Sequence, residues 1–430
     1  MNEKNYTKKD SNGQELPDSP FSDKGAYFIS LEDQYGAHNY QPLPVVLERG
    51  EGVFLRDVNG KKYYDFLSAY SAVNQGHCHP KIVNALVNQA QKLTLTSRAF
   101  YNNKLGVFEK FATEFFGYEK LLPMNSGAEA VETGLKLCRK WAYQKKGIEE
   151  NQAQIVVCAN NFHGRTTTIV SFSVDPLAKS DFGPFTPGFI IIPYNEVDAL
   201  EKVLRENKNI VGFLVEPIQG EAGVNVPTDG YLRKTYELCK EHNVLFIADE
   251  IQTGIGRTGK LLACEYEAVK PDILILGKAL SGGVYPVSAV LSSREIMDVI
   301  RPGQHGSTFG GNPIAATVGI AALTVIREEK LAENALELGE IFRKEMQKLC
   351  DSSNVAQSVR GKGLMNALII NNEKHKDLAW DICLKLADNG LLAKPTHTNI
   401  IRFTPPLVMT KSQLMECIEI IKETILQFDN

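Results

Sequence analysis

Short runs of apolar residues recur through the middle of the chain, and helical stretches lie between several of them. The runs, all between residues 154 and 293, are QIVVCAN, GFIIIPY, IVGFLVEP, VLFIADE, ILILG and PVSAVLSS. Strands that alternate with helices form a mostly parallel sheet, and strands without polar alternation are buried on both faces. The pattern therefore predicts an α/β domain whose sheet is covered by helices on both sides.

The two ends of the chain have different patterns. Alternation over residues 45–65, with turns predicted at Arg49-Gly50 and Asn59-Gly60, indicates a small antiparallel piece. Residues 315–349 are predicted as long helix, and a βαβ-like stretch follows, which together indicate a second, smaller domain. The predicted division is a disordered tail at 1–25, an N-terminal segment of the small lobe at 26–75, a large domain at 76–310 and a small domain at 311–430.

Lys278 stands just past the apolar run Ile273–Leu276, among small and apolar residues. At the end of a buried strand the amine is shielded from water, which should lower its pKa and free it to form a Schiff base with a carbonyl compound. For a lone lysine, the simpler interpretation is a stem packed on the sheet edge with its ammonium in solvent. An acid at the end of another apolar run, upstream of Lys278, favours the catalytic interpretation.

Asp249 supplies that acid, because it ends the apolar run that begins at Val244. Ligands of α/β sheets bind outside the carboxyl ends of the strands, so Asp249 and Lys278 are predicted to lie there together. A carboxylate in such a crevice needs a partner, because burying it alone is costly. The protonated ring nitrogen of pyridoxal phosphate, whose aldehyde Lys278 would hold, is a suitable partner.

The segment after Met124 predicts a helix with a well-defined start. Ser126 and Glu129 have the spacing of a capping box, and apolar residues recur at helical spacing from Ala128 onward. A helix start with a glycine at its mouth, here Gly127, exposes backbone N–H groups to an anion. Well-capped helices are common, so this feature alone does not predict a phosphate site.

Composition excludes several classes of protein. The chain has 430 residues, 43% of them apolar, and a net charge of −4, which leaves no basic surplus for binding nucleic acid. No apolar run approaches the length of a membrane span. The eight cysteines are scattered without a C-x-x-C spacing, which favours free thiols over a disulfide framework. Residues 1–25 contain no secretory core and no arginine, which favours a cytoplasmic enzyme or a mature form, and a cytoplasmic location is expected.

Two motifs resemble binding sites that the surrounding sequence argues against. The tight spacing of His77, Cys78 and His79 does not match known zinc sites, and no second cluster supplies further ligands, so no metal is expected. Residues 254–259 satisfy G-x-G-x-x-G, but a dinucleotide fingerprint places its glycines directly after the strand, and here DEIQT intervenes. Dinucleotide binding is therefore not expected.

Four motifs together resemble the class III, ω-type aminotransferases. They are EPIQGEAG at 216–223, DEIQTGIGRTG at 249–259, LGKALSGG at 276–283 and HGSTFGGNP at 305–313. Other segments, among them SAYSAVNQGHCHPKIVNAL and NGLLAKPTHTNIIRFTPPL, are most similar to the family members that act on ornithine. The resemblance runs from about Tyr35 to the C-terminus. It implies an α/β fold of the aspartate-aminotransferase type (fold type I), with a mostly parallel seven-stranded sheet in a large domain and a small α+β domain.

The resemblance also implies a set of cofactor contacts. The phosphate of pyridoxal phosphate would lie at Gly127 and Ala128, Phe162 would stack on the ring, and Gln252 would bond its phenolic oxygen. The matching threonine, Thr308, reaches the phosphate of the neighbouring subunit, which implies a homodimer. The implied cofactor-binding residues are Gly127, Ala128, Phe162, Asp249, Ile251, Gln252, Lys278 and Thr308, with Lys278 and Asp249 also catalytic.

The implied substrate contacts fall into two groups. Tyr40, Tyr70 and Arg165 would serve the charged end of an ω-amine that lies far from the cofactor. Arg402 would bind the carboxylate of glutamate, and Glu221 would pair with Arg402 whenever that carboxylate is absent. Taken alone, the tyrosines could be packing aromatics, Arg165 a solvated arginine, and Glu221 with Arg402 a structural salt bridge.

The reaction implied by the resemblance is ping-pong transfer of the δ-amino group of ornithine to 2-oxoglutarate, with small-molecule substrates as the partners. Two alternatives remain open. One is the same chemistry on N-acetylornithine, 4-aminobutyrate or lysine. The other is a non-catalytic protein of the same fold with a regulatory or binding role, which the intact set of Lys278, Asp249 and Arg402 argues against.

Overall fold

The computed structural model describes residues 24–429. The predicted disordered tail, residues 1–25, lies outside this range except for its last two residues, which begin a helix. The helices are α1 Lys24–Tyr35, α2 Ser68–Ser71, α3 Pro80–Ala90, α4 Leu105–Phe116, α5 Gly127–Trp141, α6 Thr167–Ser171, α7 Pro176–Lys179, α8 Val197–Glu206, α9 Tyr231–Glu241, α10 Arg294–Met297, α11 Pro313–Glu328, α12 Leu331–Cys350, α13 Leu378–Asp388 and α14 Lys411–Leu426.

The strands form three sheets. They are β1 Leu47–Glu51, β2 Phe54–Asp57, β3 Lys62–Asp65, β4 Lys120–Met124, β5 Gln154–Cys158, β6 Phe189–Ile192, β7 Ile210–Val215, β8 Leu245–Asp249, β9 Ile273–Leu276, β10 Ser288–Ser292, β11 Ala356–Lys362, β12 Met365–Ile370, β13 Leu391–Leu392, β14 Lys394–Thr396 and β15 Ile400–Phe403. Their orders are β1-β2-β3-β13, β4-β10-β9-β8-β7-β5-β6 and β11-β12-β15-β14.

The central seven-stranded sheet confirms the predicted α/β architecture. Strand β10 runs antiparallel to its neighbours β4 and β9, whereas the other four pairs are parallel. Strand β5 sends Ile155 and Val157 into the core beneath α5, and Val156 into the core beneath α8 and α9. Burial on both faces explains why these strands lack polar alternation.

The N-terminal and C-terminal parts of the chain share one small sheet, because β13 pairs in parallel with β3. The other small sheet, β11-β12-β15-β14, is antiparallel throughout and belongs to the C-terminal part. The predicted limits of the domains stay a prediction. Across residues 24–429, no helix combines the length and apolar character that a bilayer crossing requires.

Two predictions about turns and helices were wrong. Arg49 and Gly50 lie inside β1, and the chain turns at Gly52 and Val53 instead, between the paired residues Glu51 and Phe54. Gly50 serves close packing rather than a turn, because a Cβ there would lie 2.9 Å from the side chain of His77. The predicted turn at Asn59-Gly60 is confirmed. The long helix over residues 315–349 is two helices, α11 and α12, separated where Lys330 adopts a left-handed φ of +50°.

The βαβ-like interpretation of the C-terminal part was also wrong. Strands β12 and β15 are neighbours but run antiparallel. After α13 the chain first forms β13, which joins the other small sheet, and then β14, which pairs with β15 as a hairpin. Because the chain forms β13 and then turns back from β14 into β15, β15 runs opposite to β12; a simple βαβ crossover would have made the two strands parallel.

Candidate active site

The predicted cofactor residues, except for Thr308, line one cleft of about 210 Å³. The cleft lies where the carboxyl ends of β8 and β9 meet the start of α5. Its walls are Gly127, Ala128, Phe162, His163, Gly164, Glu216, Ile218, Asp249, Ile251, Gln252, Thr253 and Lys278. Residues from widely separated parts of the sequence thus converge at the edge of the sheet where ligands of α/β proteins bind.

Lys278 is placed by an unusual backbone conformation at the end of β9. Gly277 is extended, and Lys278, the first residue of a short 3-10 turn, adopts a left-handed φ of +40°. Such a conformation is costly for a residue with a side chain and concentrates at functional sites. Burial lowers the pKa of the Lys278 amine; the charge of Glu221 opposes this effect, and the charge of Arg402 adds to it. The predicted depression of the pKa therefore agrees with the structure.

Asp249 ends β8 and is buried, with 4% of its side chain exposed. One carboxylate oxygen accepts a hydrogen bond of 3.1 Å from the backbone N–H of Ile251. The other lies 2.6 Å from Nδ1 of His163. Phe162 and Arg165, which flank His163 within three positions of the chain, were predicted as site residues, but His163 was not.

A second buried carboxylate, Glu216, stands beside this pair. It follows directly after Val215, the last residue of β7, and its Oε2 accepts a hydrogen bond of 3.0 Å from the N–H of Phe162. Burial raises the pKa of Glu216 to about 7; His163 opposes this shift and Asp249 adds to it. The acid at the end of an apolar run was a signal that could have identified Glu216.

The imidazole of His163 is fully enclosed. Burial alone would lower its pKa, but the hydrogen bond and charge of Asp249, together with the charge of Glu216, raise it. Within residues 24–429 its Nε2 is buried and finds no hydrogen-bond partner. The ring therefore has one strong contact, to Asp249, and that contact fixes the orientation of the carboxylate.

The start of α5 confirms the predicted capping box. Ser126 Oγ accepts the N–H of Glu129 at 3.2 Å, and the carboxylate of Glu129 accepts the N–H of Ser126 at 2.8 Å. The first backbone N–H groups of a helix have no intrahelical acceptor, and those of Gly127 and Ala128 lie at the cleft. A Cβ on Gly127 would lie 3.1 Å from Ile251, so the glycine keeps this end of the cleft tight without a clash.

Glu221 and Arg402 form an ion pair, with 2.7 Å between Oε1 and Nη1. The side chain of Arg402 is 5% exposed and that of Glu221 is 27% exposed. In the described part of the chain, Nε of Arg402 is buried without a hydrogen-bond partner. The guanidinium carbon lies 5.3 Å from the centroid of the Tyr70 ring, so the structure brings together three of the predicted substrate residues.

Tyr70 belongs to α2, Ser68–Ser71, which is a single turn with left-handed φ values at all four residues. The φ values are +49°, +46°, +58° and +76°. Left-handed residues other than glycine cost roughly 1–2 kcal/mol each, so surrounding contacts must hold this turn. Asp65 supplies two of them, because its Oδ1 accepts the N–H groups of Leu67 and Ser68 at 2.8 and 2.9 Å.

The remaining predicted residues are more exposed. Tyr40 is 66% exposed, in a segment tied to β14 by a hydrogen bond of 2.7 Å from Lys394 Nζ to the carbonyl of Gln41. Arg165 is exposed and lies 5.9 Å from the ring centroid of Phe162. Thr308 is exposed on the loop before α11 and does not line the cleft. Their roles stay predictions.

The motifs discounted above have other contacts. His77 bonds Asp65 at 2.6 Å and His79 bonds Glu329 at 3.0 Å. Over residues 24–429 there is no group of three or more His, Cys, Asp or Glu side chains that could hold a metal ion. Residues 254–259 form successive turns, in which Arg257 is fully buried and bonds Asn74 and two backbone carbonyls.

Comparison with known proteins defines the family. The family model described as aminotransferase class-III matches residues 35–425. The chain belongs to the class-III aminotransferases. Members of this family use pyridoxal phosphate to transfer amino groups, so the protein is a pyridoxal-phosphate-dependent aminotransferase.

Similar proteins cover nearly the whole chain. The mitochondrial ornithine aminotransferase of Drosophila ananassae is 62% identical over 93% of this chain and 91% of its own length. The mitochondrial ornithine aminotransferase of Rattus norvegicus is 58% identical over 94% of this chain and 91% of its own length.

Solved structures share the fold. The ornithine aminotransferase of Toxoplasma gondii ME49 has a TM-score of 0.92 and 46% identity, covering 94% of this chain and 96% of its own. The acetylornithine aminotransferase of Elizabethkingia anophelis has a TM-score of 0.87 and 62% identity, covering 95% of this chain and 100% of its own. These two similar structures are thus named for different substrates, ornithine and acetylornithine.

Proposed function

We propose that this aminotransferase moves the δ-amino group of L-ornithine to 2-oxoglutarate. The products are L-glutamate and L-glutamate 5-semialdehyde, which cyclises to pyrroline-5-carboxylate. The observation that carries the proposal is the Glu221–Arg402 ion pair beside Tyr70, next to the cleft that contains Lys278. The names of relatives that are 55–62% identical support it.

The cleft residues fit pyridoxal phosphate. The N–H groups at the start of α5 suit a phosphate, since a helix N-terminus attracts anions. The buried carboxylate of Asp249, fixed by His163, suits a protonated ring nitrogen, and Phe162 offers an aromatic face. Gly220 leaves room for the side chain of Gln252, because a Cβ there would overlap its Oε1.

Bound pyridoxal phosphate supplies an electron sink for the carbon that carries the reacting amine. Lys278 would hold the cofactor aldehyde at rest. Once released, its amine, which is more readily neutral because burial lowers its pKa, would carry the proton between the substrate carbon and C4′ of the cofactor, in one direction in the first half of the reaction and in the reverse direction in the second. Asp249 would keep the proton on the ring nitrogen, and His163 would keep Asp249 oriented.

One cleft would serve two substrates through the ion pair. Ornithine reacts at its terminal amine, so its α-amino-acid end lies far from Lys278, where Tyr40, Tyr70 and Arg165 would hold it. Glutamate reacts at its α-carbon and places a carboxylate near Arg402. The pair would stay closed for ornithine, because a buried Arg402 without an anion is unfavourable, and would open when a carboxylate replaces Glu221.

The proposal includes a homodimer in which Thr308 reaches the cofactor phosphate of the neighbouring subunit. The exposure of Thr308 and of Phe309, whose ring is 48% exposed, is in keeping with a surface that another chain covers. Equilibrium sedimentation of the purified protein tests the dimer. The cytoplasmic location stays a prediction.

Transamination of N-acetylornithine is the second candidate, because the Elizabethkingia anophelis structure that is 62% identical carries that name. The two amines share the reacting end and differ at the α-nitrogen, which is charged in ornithine and neutral in the acetylated compound. Selection between them therefore depends on the residues around the distal end.

Purified protein supplied with pyridoxal phosphate, ornithine and 2-oxoglutarate tests the proposal, with o-aminobenzaldehyde added to trap pyrroline-5-carboxylate. N-acetylornithine and 4-aminobutyrate are compared by the glutamate that each releases. Trapped product from ornithine, with kcat/KM at least about tenfold above that of either competitor, supports the proposal. A preference for N-acetylornithine would replace it with the second candidate.

A further inference from the structure

Glu221 sits at the tip of a small closed loop, residues 219–225, called here the Glu221 loop. Two backbone hydrogen bonds between Gln219 and Asn225, of 2.9 and 3.2 Å, close its base. The N–H groups of Gly223 and Val224 both bond the carbonyl of Gly220, at 3.1 and 3.2 Å. The loop is thus internally braced by its own backbone.

Two side chains of the small C-terminal sheet bond the backbone of this tip. Thr396 Oγ1 donates to the carbonyl of Glu221 at 2.9 Å. Arg360 donates twice to the carbonyl of Gly223, from Nε at 2.9 Å and from Nη2 at 2.7 Å. A carbonyl that receives two N–H groups of one guanidinium is held in direction as well as distance.

The three contacts come from different strands of one sheet. Arg360 lies on β11 and Thr396 on β14, the two edge strands, whereas Arg402 lies on β15 between them. Thr396 is the last residue before the β14–β15 turn and pairs with Ile400, two residues from Arg402. The same small sheet therefore holds the loop backbone and supplies the cation that pairs with the loop side chain.

There is little space for the tip to move toward the sheet. Gly223 has a φ of +100°, and a Cβ there would lie 2.5 Å from Ile400 and 3.1 Å from Arg360. Across the described residues, Arg360 has no carboxylate within ion-pair distance, so its charge is directed at the Gly223 carbonyl. This arrangement has no evident use for binding the cofactor.

We propose that Thr396 and Arg360 are positioning residues that clamp the backbone of the Glu221 loop, so that the Glu221–Arg402 pair opens by rotation of the Glu221 side chain alone. The proposal rests on the function proposed above. With the backbone held, the closed pair reforms at the same distance each time the carboxylate substrate leaves. With a clamp contact removed, Glu221 covers Arg402 less of the time, and carboxylates gain access.

The test compares the two half-reactions by stopped-flow absorbance of the holoenzyme, with glutamate and with ornithine separately. Thr396→Val removes the hydroxyl at nearly constant volume, and Thr396→Ser is the matched control that retains it. We expect Thr396→Val to raise the glutamate-to-ornithine ratio of second-order rate constants about twofold to tenfold, the range for one neutral hydrogen bond. Thr396→Ser should stay within about twofold of the parent.

Two further variants separate positioning from general damage. Arg360→Gln should shift the ratio in the same direction, which also provides a test if Thr396→Val is poorly folded. In a Glu221→Ala background, Thr396→Val should produce no additional shift, because no side chain is left to position.

The clamp would be refuted if Thr396→Val slowed both half-reactions equally. It would also be refuted if Thr396→Val shifted the rate-constant ratio as much in the Glu221→Ala background as in the parent. A parent enzyme that fails to react with ornithine would refute the proposed function instead. If Glu221→Ala changes the ratio but Thr396→Val and Arg360→Gln do not, the function stands and only the clamp fails.

Discussion

Replacing His163 by leucine removes the strongest contact of the Asp249 carboxylate. The lost hydrogen bond spans 2.6 Å between two groups that are 1% and 4% exposed. The N–H of Ile251, at 3.1 Å, would remain. A buried hydrogen bond to a charged group contributes about 1.5–3 kcal/mol, which corresponds to a factor of about 10 to 100 in an equilibrium constant.

This loss should appear in cofactor affinity, because Asp249 is the group that would hold the ring nitrogen. Cofactor-free His163→Leu is titrated with pyridoxal phosphate and followed by visible absorption, and the dissociation constant should rise about 10- to 100-fold. His163→Asn is the control, since its amide N–H can replace the Nδ1 donor, and we expect it to recover most of the affinity. A thermal melt of each variant checks that the fold is intact.

Two results would refute this reasoning. One is a folded His163→Leu variant that binds the cofactor as tightly as the parent. The other is an asparagine variant no better than the leucine variant, which would mean that the shape of the ring, and not its hydrogen bond to Asp249, matters.

Three further predictions concern single residues in the cleft or in contact with its walls. Lys278→Ala should keep the parent's thermal midpoint but lose turnover and lose the attachment of cofactor by borohydride; a mass gain after reduction would contradict it. Glu216 has a folded-state pKa of about 7 against an ordinary 4.5, so its ionisation destabilises the fold increasingly as pH rises between these values. The free energy of unfolding of Glu216→Gln should therefore exceed that of the parent by up to about 3 kcal/mol at pH 8 but not at pH 4.5, which thermal melts at the two pH values would show. A difference that does not depend on pH would refute this. Gly220→Ala should displace Gln252 and weaken cofactor binding about tenfold in the same titration, whereas unchanged affinity would show that Gln252 is not a cofactor contact.

Much of the site could be predicted because its signals are local. Asp249 and Lys278 each mark the end of an apolar run, and the rule that parallel strands end at one edge brings them together without further information. The capping box at Ser126 is likewise written in four consecutive positions. The same rule applied to Glu216 would have found a third ionisable group.

Other features depend on contacts that a sequence does not display. The left-handed turn at Ser68–Ser71 contains no glycine, and it is held by Asp65 through hydrogen bonds that only the fold defines. His163 was not predicted as a site residue, because its contact with Asp249 joins residues 86 positions apart and only the fold brings them together.

Gly50 shows how one residue type can serve two purposes. It was predicted to form a turn, yet it lies within a strand and allows His77 to pack closely. The antiparallel pairing of β12 with β15 was similarly hidden, because strand direction depends on the two short strands between them.

The most direct measurement of the central claim follows nitrogen from each end of ornithine. The holoenzyme is incubated with 2-oxoglutarate and ornithine labelled with ¹⁵N at either the δ- or the α-amine, and the glutamate formed is analysed by mass spectrometry. The account predicts that the δ-label passes to glutamate and that the α-label stays in the trapped pyrroline-5-carboxylate. Labelled glutamate from α-labelled ornithine, or unlabelled glutamate from δ-labelled ornithine, would contradict it.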